Sequence, residues 1–269
     1  MMVVKLGGSV LTDKSRPLSF NEDVSGRLAD EIVSTGEKEI ILIHGGGSYG
    51  HYTALAYGLD KIGKPVSQVP LGFLETHMSM RRLTDRLVEV FYRRGLRVYP
   101  LTASSIAITR RGRIDSLYIE SIKLALEMGL TPLLHGDVVF DYEDGFSILS
   151  GDQIAVRLAL EFEAYKVIFV VDVDGVYDRD PKLGGASLIR EISVESIRNI
   201  ASGERSSMDV TGGMISKLIE ASILAEKGVE VYIVNGLKPG RLYKAIIGLE
   251  VEGTRIIGGK TLGYRGKEG

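Results

Sequence analysis

Two apolar stretches that each run into glycines decide how this chain folds: residues 2–9, MVVKLGGS, and residues 39–51, EIILIHGGGSYGH. In both, a run of Val, Ile or Leu with the length of a strand ends at consecutive glycines. Glycine at such a point lets the oxygens of an anion approach the backbone N–H groups with no Cβ in the way. Each stretch therefore predicts a buried strand followed by an anion-binding loop.

Strand-length and helix-length segments alternate along the rest of the chain. Helices are predicted over 21–35, 73–94, 116–128, 152–163, 193–201 and 213–227, and further strands over 96–101, 131–134, 166–171 and 229–234. Hairpins are predicted over 105–115, turning at Arg111-Gly112, and over 137–149, turning in DYEDG. The alternation predicts an α/β fold, a mostly parallel sheet covered by helices on both faces, with the carboxyl ends of the strands along one edge.

Composition restricts the function classes. The chain has 269 residues, a net charge of −2 and no cysteine, so disulfides, zinc–thiolate sites and thiol nucleophiles are excluded. The overall charge favours neither nucleic acid nor an anionic membrane as a partner. Glycine, 33 of 269 residues, is about 12% against roughly 7% in average proteins. The first apolar run is too short for a signal peptide, so we expect a cytoplasmic protein of one domain over 1–269 with a polar, frayed tail over 259–269.

Lysines and one aspartate are the candidate chemical groups. Lys5 lies inside an apolar strand, where an unpaired lysine is rare, and Lys217 follows the glycines of DVTGGM, residues 209–214, at the start of a helix. A cation there is easier to explain if an anion binds nearby. Asp152 would hold two ammonium groups in place. A purely structural explanation also exists for three residues. Lys5 would extend to solvent, Lys14, in the loop of residues 12–15, would be a surface lysine, and Asp152 would be a helix N-cap.

Two other motifs are weaker. Gly45-x-Gly47-x-x-Gly50 matches the dinucleotide fingerprint, but it follows the second strand and no acid stands about 20 residues later. Gly46-x-Ser48-x-Gly50 matches a nucleophile elbow, yet it overlaps the HGGG stretch that would have to form the oxyanion loop. The phosphate loop GxxxxGK[ST] and the protein-kinase signatures are missing from the sequence. The acidic loop 171–181, VDVDGVYDRDP, lacks the glutamate of an EF-hand and suits contacts with a ribose and base near a hydrated Mg²⁺.

Taken together, KLGGS, HGGGSYGH, SGD ending at Asp152, VDVDGVYDRDP and DVTGGM-x-x-Lys217 resemble the amino acid kinase family over residues 2 to about 258. That resemblance implies a three-layer αβα sandwich with an open, mainly parallel sheet, and a homodimer. It also implies that an amino-terminal lobe of about residues 1–150 binds the phosphate acceptor and a carboxy-terminal lobe of about residues 151–269 binds ATP. Lys14 in SVLTDKS and His51 followed by Tyr57-Gly58-Leu59 are most similar to the isopentenyl phosphate kinases of this family.

The resemblance assigns roles to residues. The catalytic set would be Lys14, Lys5, Lys217 and Asp152. Acceptor binding would use Gly45, Gly46, Gly50, His51 and Gly151. ATP binding would use Lys5, Gly7, Gly8, Ser9, Gly47, Asp172, Asp174, Tyr177, Asp180, Gly212, Gly213 and Lys217. ATP and Mg²⁺ are the expected cofactors, and no protein ligand is assigned to the metal.

The expected reaction is phosphoryl transfer from ATP to isopentenyl phosphate in isoprenoid biosynthesis by an archaeal-type mevalonate route. Two alternatives stay open at this point. One is a kinase of the same fold acting on another small phosphate or phosphonate such as fosfomycin. The other is a non-catalytic nucleotide-binding regulatory module. Of the remaining histidines, His44 is expected to shape its loop, and His77 and His135 to be structural.

Overall fold

A computed structural model describes residues 1–13, 15–59, 69–181, 184–202 and 212–258. The strands, in chain order, are β1 (Met2–Leu6), β2 (Ile40–His44), β3 (Val98–Leu101), β4 (Ala107–Arg110), β5 (Arg113–Leu117), β6 (Thr131–His135), β7 (Asp137–Asp141), β8 (Gly145–Leu149), β9 (Lys166–Val171), β10 (Val176–Tyr177), β11 (Leu188–Ile189), β12 (Glu191–Ser193), β13 (Glu230–Asn235) and β14 (Gly253–Ile257). The helices are α1 (Gly8–Leu11), α2 (Glu22–Ser34), α3 (Gly47–Ala56), α4 (Val69–Arg93), α5 (Ala103–Ile106), α6 (Glu120–Glu127), α7 (Gly151–Glu161), α8 (Val194–Ala201), α9 (Gly212–Glu226) and α10 (Arg241–Ile247).

An eight-stranded sheet in the order β12-β14-β13-β9-β1-β2-β6-β3 forms the middle layer. All its pairings are parallel except that of β13 with β14. One apolar core joins a face of this sheet to α6, α7, α8 and α9, and a second joins the other face to α1, α2, α4 and α10. The predicted three-layer αβα sandwich with an open, mainly parallel sheet is confirmed.

The first strand runs through the centre of the sheet, between β2 and β9, and all five of its residues are buried. Met2, Val4 and Leu6 belong to the core on the α2 and α4 side, and Val3 to the core on the α7 and α9 side. Because side chains alternate between the faces of a strand, Lys5 lies on the same face as Val3. That face carries α7 and α9, the helices in which Asp152 and Lys217 stand.

Both predicted hairpins are present and pair into a smaller sheet in the order β5-β4-β7-β8. Arg111 and Gly112 both have positive φ, 51° and 72°, as a tight turn between β4 and β5 requires. Residues 113–117 form β5, so the helix predicted over 116–128 begins only at Glu120. The strand's hydrogen bonds to β4 override the helical periodicity of this short segment.

Sequence periodicity missed several short elements. The helix α3 was not predicted, because its sequence GSYGHYTALA holds two glycines and no clear apolar stripe. The missed helices α1 and α5, four residues each, and α10, seven, are too short to show a period. The predicted tail over 259–269 lies outside the described residues. No helix in the described ranges is long and apolar enough to cross a bilayer.

The two glycine loops that follow β1 and β2 contact each other through their backbones. A Cβ on Gly8 would lie 2.2 Å from the amide nitrogen of Gly47, and one on Gly47 would lie 2.0 Å from the hydroxyl of Thr12. Gly47 also has a φ of +49°, in the left-handed region. The Thr12 hydroxyl accepts a hydrogen bond from the Ser48 amide at 2.9 Å and donates one to the Gly8 carbonyl at 2.7 Å. Close packing is therefore a second reason for glycine here, alongside access for an anion.

We predict that Gly47→Ala lowers the free energy of unfolding by about 2 kcal/mol or more, because the new methyl adds a clash to left-handed strain. Gly36→Ala is the matched control. Gly36 also has positive φ, +69°, but nothing lies within 4 Å of its Cβ position, so we expect a loss of only about 1 kcal/mol. Urea unfolding followed by circular dichroism measures both. Equal losses in the two variants would show that the contact with the Gly8 loop does not constrain residue 47.

Candidate active site

A cavity of about 620 Å³ opens where β1, β2 and β9 end. The loops after these strands and the amino-terminal turns of α3, α7 and α9 line it, so the polar backbone of several elements meets there. This is the position at which parallel α/β sheets usually bind ligands. Most of the residues expected from the sequence line it: Lys5, Gly7, Gly8, Ser9, Gly45, Gly46, Gly47, Gly50, His51, Gly151, Asp152, Asp172, Tyr177, Asp180, Gly213 and Lys217.

In the wall of the cavity, Asp152 stands between two lysines. Its Oδ1 lies 2.8 Å from the Lys5 Nζ, and its Oδ2 lies 2.7 Å from the Lys217 Nζ. Three elements far apart in sequence supply the groups: β1, the first turn of α7 and α9. The side chains of the two lysines are about nine-tenths buried. One carboxylate thus holds two ammonium groups that would otherwise repel each other.

Burial and charge act against each other in this trio. Burial alone would raise the pKa of the Asp152 carboxyl, but Lys5 and Lys217 together lower it to about 2. Burial lowers the pKa of the Lys217 ammonium to about 8, Lys5 adds to that effect, and Asp152 opposes it. The trio carries a net charge of +1 at neutral pH. An anion entering the cavity would therefore meet charge that is already desolvated and fixed in position.

Asp152 is not the N-cap of α7, which was the structural alternative that the sequence left open. The N-cap of α7 is Ser150, whose Oγ accepts a hydrogen bond from the Gln153 amide at 3.1 Å. The Asp152 carboxylate is thereby left to the lysines. A carboxylate in the first turn of a helix is also favoured by the helix dipole.

Apolar side chains also line the cavity, among them Ala54, Met80 and Ile148. Met80 packs close to α3, because its Sδ would lie 2.9 Å from a Cβ on Gly50 and 3.0 Å from one on Gly46. His51 is exposed on α3 and also lines the cavity. A ligand with an anionic head and an apolar tail fits this arrangement of lysines, histidine and apolar side chains.

The structure does not bring Asp174 to the lining of the cavity. Its carboxylate contacts the Arg241 guanidinium at 2.5 Å, accepts a hydrogen bond from Asn235 at 2.9 Å and accepts another from the Tyr177 hydroxyl at 3.1 Å. These contacts join the acidic loop to β13 and α10. Lys14 lies outside the described residues, and Gly212 begins α9.

Three histidines near the site have structural contacts. Burial and the neighbouring His135 ring, whose centroid is 5.2 Å away, hold the pKa of His44 well below 6.5. The neutral His44 ring bonds the Thr84 hydroxyl at 2.9 Å and so fixes the start of the second glycine loop to α4. His77 contacts the buried carboxylate of Asp137 at 2.8 Å.

Sequence reasoning missed several residues that line the cavity. They include Thr76 and Met80 on α4, Gly136 and Asp137 after β6, Ser150, and Arg179 in the acidic loop. Met80 gave no distinct signal, because an apolar residue on an amphipathic helix is more often simply core. Arg179 had the clearest signal, since it is the one basic residue within VDVDGVYDRDP. Gly136 and Asp137 carry no motif, and only the fold brings them here.

Comparisons with known proteins show which family this chain belongs to. The model of the amino acid kinase family matches residues 1–235. An isopentenyl phosphate kinase of Methanothermobacter thermautotrophicus is 35% identical over 268 residues, covering 96% of this chain and 99% of that protein. One of Methanocaldococcus jannaschii is 34% identical, covering 95% of this chain and 98% of its own length. A solved isopentenyl phosphate kinase structure superposes with a TM-score of 0.83 at 33% identity, covering 95% of this chain and 99% of that one.

We predict that Asp152→Asn lowers the free energy of unfolding by about 3 kcal/mol, because it leaves two buried ammonium groups without their counterion. The same change should move the pKa of Lys217 below its value of about 8, since the carboxylate that favours the ammonium is lost. Urea unfolding gives the first quantity and ¹³C NMR of the lysine Cε gives the second. Glu89→Gln, which removes an exposed carboxylate paired with Arg93, is the control and should change neither. An unchanged pKa of Lys217 in Asp152→Asn would contradict the conclusion that the Asp152 carboxylate stabilises the Lys217 ammonium.

Proposed function

The chain belongs to the amino acid kinase family, and we propose that it transfers the terminal phosphoryl group of ATP to isopentenyl phosphate, giving isopentenyl diphosphate and ADP. The observation that carries the proposal is the Lys5–Asp152–Lys217 trio in the wall of a cavity that apolar side chains also line. The isopentenyl phosphate kinases named above, similar to this chain over nearly its whole length, supply the identity of the acceptor.

The acceptor supplies its own nucleophile. The second pKa of a phosphate monoester is about 6, so its oxygen is largely deprotonated at neutral pH and no general base is needed. A new bond forms between that oxygen and the γ-phosphorus of ATP, while the bond from the γ-phosphorus to the bridging β–γ oxygen breaks and its electron pair leaves with ADP. The main obstacle is repulsion between two polyanions, and this chain's cations and backbone amides offset it.

Each site residue then has a proposed role. Lys5 and Lys217 would contact the phosphates of ATP, and Asp152 would orient both ammonium groups. Gly7, Gly8, Ser9 and Gly47 would offer backbone amides to ATP, with Asp172, Tyr177 and Asp180 of the acidic loop and Gly213 of α9 along the rest of the nucleotide. Gly45, Gly46, Gly50 and Gly151 would line the acceptor phosphate. His51 would donate a hydrogen bond to it, and Lys14 would bridge it and the transferred group.

The amino-terminal lobe, about residues 1–150, would bind the acceptor, and the carboxy-terminal lobe, about residues 151–269, would bind ATP. We also propose that Mg²⁺ enters bound to ATP. Within the described ranges, no three His, Asp or Glu side chains cluster as a site made of protein ligands alone would require, and Asp152 is already engaged by lysines. A metal held by the phosphates and water, with Asp172 on the cavity wall nearby, is consistent with both facts.

A homodimer and a cytoplasmic location complete the proposal. Edge strand β3, helix α6 and the C-cap of that helix expose apolar side chains, namely Tyr99, Leu124 and Met128. Exposed apolar groups of this size are typical of surfaces that bind another protein. Light scattering after size-exclusion chromatography measures the oligomeric state. A mass of one chain across the working concentration range would rule the homodimer out.

The function is tested with purified protein, ATP and Mg²⁺ against a panel of acceptors. We expect ADP release and a new diphosphate by ³¹P NMR with isopentenyl phosphate, and much less with fosfomycin, glutamate or carbamate. Asp152→Asn protein that remains folded is the negative control. Turnover with isopentenyl phosphate no faster than without an acceptor would reject the proposed function, and preferred turnover of another panel member would reassign the acceptor.

We predict that His51→Ala raises the KM for the acceptor at least about tenfold, because a hydrogen bond to a charged group contributes roughly 1.5–3 kcal/mol. The KM for ATP should change less than twofold. His77→Ala, which alters a histidine of the same region that is paired with Asp137, is the comparison variant and should spare the acceptor KM. Equal effects of His51→Ala on both substrates would remove His51 from the acceptor site.

A further inference from the structure

The tip of the β4–β5 hairpin contacts α7 and α9, the helices that carry Asp152 and Lys217 of the charged trio. Gln153, the residue after Asp152, is buried and uses both ends of its side-chain amide on this tip. Its Oε1 accepts a hydrogen bond from the Ile114 amide at 2.9 Å, and its Nε2 donates one to the Gly112 carbonyl at 3.1 Å. The side chain therefore pairs with the hairpin as a neighbouring strand would. This contact connects the tip to the first turn of α7.

The same tip is connected to α9 by an ion pair. Arg113, between the two backbone groups that Gln153 binds, donates through both guanidinium NH₂ groups to the two carboxylate oxygens of Glu220. Glu220 follows Lys217 by three residues, so the two stand about one helical turn apart. The Glu220 side chain is only 12% exposed. A bidentate arginine–carboxylate pair fixes direction as well as distance.

The tip itself is held rigidly. The buried carboxylate of Asp141 accepts hydrogen bonds from the amides of Arg111 at 3.2 Å and Gly112 at 2.9 Å, and also from the turn that follows β7. These bonds hold the pKa of Asp141 well below its ordinary value, although burial opposes them. The tip is thus a fixed point against which α7 and α9 can both be aligned.

We propose that Gln153, Arg113 and Glu220 are positioning residues: by binding α7 and α9 to one hairpin tip, they hold Asp152 and Lys217 in register for phosphoryl transfer. The apolar face of α9, with Leu218 and Ala221 in the core, sets how deeply the helix packs. Apolar contacts are not directional, however, and leave sliding and rotation less restricted. This proposal rests on the proposed function, because that function assigns a catalytic role to Lys217.

A purely electrostatic effect would shift the pKa of Lys217 differently from a loss of alignment, so an experiment can distinguish the two explanations. Arg113→Gln removes a positive charge and Glu220→Gln removes a negative one, so through-space effects on the pKa of Lys217 would have opposite signs. Loss of alignment would instead weaken the contact with Asp152 in both variants. Among the described residues, Lys5, Asp152 and the Phe169 ring, whose centroid is 5.1 Å away, face the Lys217 ammonium.

The experiment measures kinetics and lysine titration in Arg113→Gln, Glu220→Gln, Arg113→Glu, Glu220→Arg and the double variant Arg113→Glu/Glu220→Arg. We expect each single change to lower kcat about tenfold or more, as small misplacements of reacting groups do, with the acceptor KM within about twofold. The double variant, which restores an ion pair, should recover kcat to within about threefold. Arg198→Gln, which removes an exposed pair between α8 and the far end of α9, is the control and should leave kcat unchanged.

The pKa of Lys217, measured by ¹³C NMR in the nucleotide-free protein, is the second readout. We expect it to fall in both Gln variants. Opposite shifts in the two, an unchanged kcat, or a double variant no better than the singles would overturn the proposal. If the wild-type protein transfers no phosphoryl group to isopentenyl phosphate, the proposed function fails, while the titration still decides whether the hairpin tip aligns Lys217 with Asp152.

Discussion

One carboxylate between two buried ammonium groups is the constraint on which this structure depends. Lys5 and Lys217 repel each other and have lost most of their water, and the carboxylate of Asp152, within 2.8 Å of each, makes their proximity tolerable. Because the three groups come from β1, α7 and α9, the sheet and two helices must meet in one arrangement. The charge that a phosphate would need is therefore built into the fold before any ligand arrives.

The sequence predicted the parts of this arrangement that local chemistry encodes. A lysine in an apolar strand, glycines after strands and an aspartate at the start of a helix each signalled the cavity, and Lys5, Asp152 and Lys217 all line it. The order of the long strands and helices also followed from periodicity. Asp174 shows the limit, since an acidic loop does not reveal which of its carboxylates faces an arginine such as Arg241.

Contacts between distant segments could not be predicted, because no local pattern records them. Nothing in the sequence near Glu220 indicates that Arg113, 107 residues earlier, binds it, and nothing near Gln153 indicates the hairpin tip. The helix α3 was missed for a related reason, because its glycines reflect close packing, Gly47 against the first glycine loop and Gly50 against Met80, more than helical preference. Tertiary contacts decide such positions, and local propensity contributes little there.

The strict alternation of side chains along β1 has a consequence for how this protein can change in evolution. Substitution of Val3 or Val4 by another apolar residue keeps Lys5 facing α7 and α9, but insertion or deletion of one residue between Met2 and Lys5 would turn its ammonium into the opposite core. That core holds Leu28, Leu87 and Phe91, which offer no counterion. The number of residues between Met2 and Lys5 should therefore vary far less during evolution than the identity of those residues does.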